Sequence, residues 1–149
     1  MNQTASIAAA LALGFATAVV ADEVLVPKMF KGMQKGQWRA EMTEASAAKD
    51  GRKMPTMIVC TDNLLEQQKS QKMESKCKRR FTKDTASEAV IESVCPERTS
   101  IVTMKKVNAN NVDVSIDTDG KRGKQHMRIH YTHIGACKPG QPVVTMEKK

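Results

Sequence analysis

The sequence predicts a mainly β protein: a curved or partly closed antiparallel sheet, built as a meander with one short helix and stapled by disulfides. Three observations predict it. Apolar and polar residues alternate with period 2 in several segments, short turn-rich breaks separate those segments, and the cysteine count is even in a chain that opens like an exported one.

The opening stretch stands apart from the domain. Residues 7–20 are apolar and rich in Ala and Leu, and no residue from Met1 to Ala21 has a charged side chain. Val19 and Ala21 supply the small −3 and −1 positions of a signal peptidase site, and Asp22 and Glu23 follow. This reads as a secretory signal cleaved after Ala21, too short for a comfortable membrane span. No cysteine sits at the cleavage point, so no lipid anchor is expected. Residues 22–149 are then a single mainly-β domain, soluble and periplasmic, long enough for one core.

The strands follow in order. Trp38, Ala40 and Met42 alternate with Gln37, Arg39, Glu41 and Thr43, a half-buried strand with one wet face. Residues 45–53 form a long polar loop, and a less regular strand is expected at 56–60. Residues 61–73 predict a helix of about three turns. Thr61, Asp62 and Asn63 are cap candidates, Glu66 lies three residues beyond Asn63, and Leu, Gln and Lys residues of good helix propensity follow. Strands are expected at 77–81, 88–95 and 100–106, with turns at 84–87 and 96–98. Val112, Val114 and Ile116 then alternate with Asn111, Asp113, Ser115 and Asp117; Met127, Ile129 and Tyr131 alternate with His126, Arg128, His130 and Thr132. Breaks at 108–111 and at Asp119-Gly120 flank the first of these, and a last strand is expected at 143–146. Connections this short allow a meander and leave no room for β-α-β crossovers.

The core is poor in aromatics, with one Trp, one Tyr and three Phe in the whole chain against ten Met. Such a core is adaptable and modest in strength, which raises the value of covalent staples. Cys60, Cys77, Cys95 and Cys137 read as two disulfides. Cys77 and Cys95 are equidistant from Ala86 in a predicted turn, so a hairpin centred there sets them opposite each other. Cys60 is left to join Cys137. The rival pairing, Cys60–Cys77 around the helix with Cys95–Cys137, also satisfies the spacing.

A Gly-x-Trp strand start (Gly36, Gln37, Trp38) leads to a Met/Pro stretch (Met54, Pro55, Met57). Cys60-Thr61, two mid-chain cysteines and a closing Gly-x-Cys (Gly135, Ala136, Cys137) follow. This arrangement resembles the bacterial family catalogued as domain of unknown function 3617, small proteins exported to the Gram-negative periplasm. The resemblance implies compartment and fold, and carries no activity or catalytic residues.

Enzyme machinery is not evident. The three histidines lie on one predicted strand; His126 and His130 share a face about 13 Å apart, and His133 falls on the other. No Ser-Asp-His set, glycine-rich phosphate loop or H-E-x-x-H occurs. A non-catalytic binding or envelope-associated protein is expected, with no cofactor and no metal site. Charge is the most usable clue, because the formal net charge is +8 and the signal segment contributes none of it. Lys78, Arg79 and Arg80, with Lys121, Arg122, Lys124 and Arg128, are the expected contacts for an anionic partner: lipopolysaccharide, phospholipid or an acidic protein. Nucleic acid is disfavoured by export and by the lack of aromatic stacking platforms. Two alternatives stand beside this reading. One is a copper or redox stress protein using Met29, Met33, Met54, Met57 and the histidines. The other is a carrier of a small hydrophobic ligand, if the sheet encloses an apolar cavity.

Overall fold

The computed structural model describes residues 25–45, 55–62 and 76–147. The expected signal segment, residues 46–53 of the expected polar loop, Met54 and residues 63–73 of the expected helix lie outside them. Among the described residues the strands are β1 (Gln37–Ala45), β2 (Met57–Cys60), β3 (Lys78–Asp84), β4 (Glu88–Cys95), β5 (Arg98–Asn108), β6 (Asn111–Gly120), β7 (Gly123–Gly135) and β8 (Val144–Met146). They make one antiparallel sheet in the order β3-β4-β5-β6-β7-β1-β2-β8. The sheet is open, with β3 and β8 at its margins. No described helix is long and apolar enough to cross a membrane.

From β3 to β7 the chain is the expected meander. The hairpin of β3 and β4 pairs Lys78 with Val94 and Arg80 with Glu92, a register centred on Ala86. That register carries Cys77 to Cys95, which are disulfide-bonded with Cα atoms 4.2 Å apart. Cys60 and Cys137 form the second bond, Cα to Cα 5.7 Å, so the first of the two pairings is the one adopted. The turn expected at Asp119-Gly120 falls two residues later. Gly120 pairs with Gly123, leaving Lys121 and Arg122 at the tip, because Gly123 takes the left-handed conformation (φ 85°) that lets the chain re-enter the ladder. Pairing order departs further from chain order. β1 does not extend the meander at β3; it lies between β7 and β2.

The alternation read along each strand sorts the sheet into two faces. Trp38, Met104, Val112, Val114, Ile129 and Tyr131 share the inner face through registers such as Met104↔Val114 and Val112↔Tyr131. Unexpectedly, the segment before β1 covers this face. Pro27 opens a 3₁₀ turn, Lys28–Gly32, closed by Phe30 N–H to Pro27 O and Met33 N–H to Phe30 O. Met29 is driven into the core beside Trp38, Ala89, Met104 and Val112. Four hydrogen bonds strap this segment across one end of the sheet: Lys28 N–H to Asp84, Lys106 Nζ to Gly32 O, Trp38 Nε1 to Gln34 O and His133 Nε2 to Lys35 O. Each involves a different strand or strand end, so the strap ties β3, β5, β1 and β7 together.

The strap leads into a tight corner. Gly36 has φ 128°, and a Cβ added there would lie 2.1 Å from the Gly135 carbonyl oxygen. Only glycine permits this approach of β1 to the end of β7. Thr61 completes the corner: its N–H and its hydroxyl both donate to Gly36 O, and its hydroxyl accepts from Gly36 N–H. The Cys60–Cys137 bond lies in the residues adjoining this contact. It spans 77 residues against 18 for Cys77–Cys95, and in the loop-entropy picture these contribute about 4.5 and about 3 kcal/mol. Both are large beside a core of few fully buried side chains.

Gly36→Ala is expected to cost about 3 kcal/mol, combining backbone strain with the clash. Gly135→Ala, with open space around the added carbon, is expected to cost about half that, from its φ alone. Urea unfolding midpoints of the two variants check the ranking.

Candidate functional site

Between the strap and the inner face lies a partly open cavity of about 380 Å³, within the size of small-molecule sites. Its floor is the inner-face rows of the sheet: Met104 from β5, Val112 and Val114 from β6, Tyr131 from β7, Trp38 from β1 and Val59 from β2. Phe30, Met33, Gln34 and Lys35 of the strap form the opposite wall, and Thr61 closes the corner. The wall is therefore apolar and aromatic with a few polar groups at one side.

Those polar groups are held by the packing already described. Trp38 is 1 % exposed, fixed by its Nε1 bond to Gln34 O and by the edge of the His133 ring, 5.3 Å between centroids. The Thr61 hydroxyl is occupied by Gly36. The Tyr131 hydroxyl has no hydrogen-bond partner among the described residues. Burial pushes its phenol above the ordinary value, because desolvation penalises the phenolate. Lys35 is the one charged residue of the wall. Its ammonium has no ion-pair partner among the described residues.

The expected anionic-partner residues lie elsewhere. The ladders set the start of β3, the β4–β5 turn and the β6–β7 tip at one end of the sheet. Lys78, Arg79, Arg80, Lys121, Arg122 and Lys124 are thereby gathered at the end opposite the strap, about 27 Å along β6 from Val112. Arg128 lies apart, nearer the middle of the outer face, opposite Ser115. Three of the seven are matched by carboxylates: Arg80 with Glu92 at 2.6 Å, Lys121 with Glu97, and Arg128 with Glu44 at 3.6 Å. Lys78, Arg122 and Lys124 have no such partner among the described residues.

The outer face alternates in sign from strand to strand. His126 Nδ1 meets Asp117 at 2.5 Å and its Nε2 accepts from Arg128 Nε, while His130 Nδ1 meets Asp113 at 2.6 Å. Lys83 donates to Glu88 and holds its carboxyl below the usual carboxylate range. His133 lies on the inner face as expected. Met29 is core and Met33 is cavity wall. The sole group of three ligand-type side chains with adjacent donor atoms among the described residues is Cys60, Asp62 and Cys137, and its sulfurs are joined to each other.

Period-2 alternation identified four of the eleven lining residues, Trp38, Val112, Val114 and Tyr131 on the inner face of β1, β6 and β7, and missed the strap. The available signal was Pro27 followed by Met29, Phe30 and Met33, an apolar cluster with a turn-forming start. Comparison of the chain with protein-family models, curated proteins and solved structures finds no match.

Tyr131 is the single tyrosine of the chain, so its titration can be followed directly by phenolate absorbance. The folded protein is expected to titrate above the ordinary value of about 10 and the protein in denaturant near it. Stability from this group is complete below that value and declines as pH rises through the folded midpoint, because the unfolded state releases the proton first.

Proposed function

We propose that the chain is a non-catalytic binding protein of the Gram-negative periplasm, exported by residues 1–21 and cleaved after Ala21, that holds a small apolar ligand in the strap cavity. The observation that carries this reading is the cavity itself: about 380 Å³, walled by Phe30, Met33, Trp38, Met104, Val112 and Val114, and sited where a sheet face and its cover are crosslinked by hydrogen bonds. Sites for small ligands are concave, mainly apolar and furnished with a few fixed polar groups. Two disulfides fit a chain that folds outside the reducing cytoplasm, in keeping with the resemblance to the exported family 3617. The non-catalytic reading is supported by the engagement of His126 and His130 with aspartates on the outer face, remote from the cavity.

The single tryptophan lies in the wall, so binding has an intrinsic reporter. Titration with a neutral ten-carbon alcohol is expected to change Trp38 fluorescence saturably. Val114→Phe, which fills the cavity, is expected to weaken binding about tenfold, the scale of a lost or obstructed apolar contact. A signal that is linear in alcohol, or indifferent to the substitution, sinks the reading.

A second reading concerns the other end of the sheet. Lys78, Arg122 and Lys124, with the ion-paired Arg80 and Lys121 around them, form a basic field suited to an anionic envelope component such as lipopolysaccharide or phospholipid. It is favoured by the convergence of two sequence-distant basic runs at one end. Co-sedimentation with anionic vesicles at low salt is expected and should fall steeply with added salt. The triple variant K78E/R122E/K124E should abolish it and leave the unfolding free energy within about 0.5 kcal/mol, as for surface sites generally.

A further inference from the structure

The cavity wall is asymmetric in charge, and the asymmetry bears on what fills it. Lys35 is its one charged residue, and no carboxylate lines it. Three polar side-chain groups of the lining residues have no hydrogen-bond partner among the described residues: the Lys35 ammonium and the Gln34 amide, both on exposed residues, and the half-buried Tyr131 hydroxyl. The others are committed, Thr61 to Gly36 and the Gln34 carbonyl to Trp38. At the half-buried Tyr131 hydroxyl a donor without an acceptor is costly, whereas the exposed Lys35 ammonium is solvated and acts through its charge. Lys35 and Tyr131 both donate in their ordinary states, and together they ask for an acceptor that carries negative charge. A wholly apolar occupant would leave the Tyr131 hydroxyl unsatisfied, and a cationic one would be repelled by Lys35.

The cavity also bounds the size of the occupant. At roughly 30 Å³ per heavy atom, the share of a water in the liquid, about 380 Å³ holds about a dozen non-hydrogen atoms. The neighbouring basic residues extend the same preference outward: Lys31 is exposed in the last turn of the strap, and Lys106 bonds Gly32 O.

We propose that the ligand is a single-chain anionic amphiphile of medium length, an acyl carboxylate, with its chain among Phe30, Met33, Met104 and Val114 and its carboxylate at Lys35 and Tyr131. This rests on the reading of the cavity as a ligand site, and deepens it by assigning the headgroup. The carboxylate accepts one charge-assisted hydrogen bond from the ammonium and one from the phenol, which is the stronger class of such bonds.

The full exported chain, with both disulfides formed, is titrated with three probes of equal chain length: decanoate, decanol and decyltrimethylammonium, each followed by Trp38 fluorescence. Decanoate is expected to bind about tenfold more tightly than decanol, the scale of one hydrogen bond to a charged group, and decyltrimethylammonium more weakly than either. Lys35→Met should erase the advantage of decanoate and leave decanol unchanged, and Lys35→Glu should invert the order of the charged probes. Tyr131→Phe should weaken decanoate several-fold with little effect on decanol. Equal binding of decanoate and decanol, unaltered by Lys35→Met, overturns the headgroup assignment while the cavity stands. Saturable binding of none of the three overturns the cavity reading itself.

Discussion

At the start of β1 two backbones pass so close that no side chain fits between them. Gly36 lies against the Gly135 carbonyl, Thr61 bonds both backbone groups of Gly36, and the Cys60–Cys137 bond links the residues next to these contacts. Three short pieces far apart in the chain are thus fixed at one point. The strap enters from this point and Trp38 leaves it, so the cavity between them inherits its shape from the corner. Relaxing the corner would move Lys35 and Trp38 together. A core with few fully buried residues could not by itself hold that geometry, which is why the covalent tie matters here more than in a larger domain.

The sheet separates two kinds of chemistry along its length. One end carries the strap and the apolar cavity; the other carries the hairpin tip and the margin of β3, with Lys78, Arg122 and Lys124. Between them the outer face is laced by cross-strand pairs of opposite sign, each exposed and worth little in stability. Their effect is to leave that face nearly neutral locally despite the net charge of +8. Among the described residues, Lys78, Arg122 and Lys124, which have no carboxylate partner there, lie together at the hairpin-tip end.

Much of the fold was legible because period 2 reports which face a side chain takes. The inner set of Trp38, Val112, Val114, Ile129 and Tyr131 follows from it directly, and the symmetry of Cys77 and Cys95 about Ala86 gave a register as well. Alternation does not say which strand is whose neighbour. The placement of β1 between β7 and β2 depends on the Gly36–Gly135 approach, which involves residues about a hundred positions apart, and nothing local in residues 36–38 announces it. The strap was invisible for a related reason: Val26, Met29, Phe30 and Met33 repeat at helical spacing over a run too short to specify an element, and the burial of Met29 is dictated by the face it covers. For the basic residues, charge was legible and pairing was not. Glu92, Glu97 and Glu44 become partners of Arg80, Lys121 and Arg128 only through register.

An open sheet has two margins whose backbone donors and acceptors on one side have no neighbouring strand, and such margins invite a strand from another molecule. Here the two differ in how they resist it. β8 is only three residues long, too short to template much of a ladder. β3 is longer, but it presents the exposed side chains of Lys78, Arg80 and Lys83 and is interrupted by a bulge between Phe81 and Lys83. A second copy approaching edge to edge would bring like charges together along an irregular line. The same lysines and arginines that suggest an anionic partner thus also oppose edge-to-edge pairing of two copies.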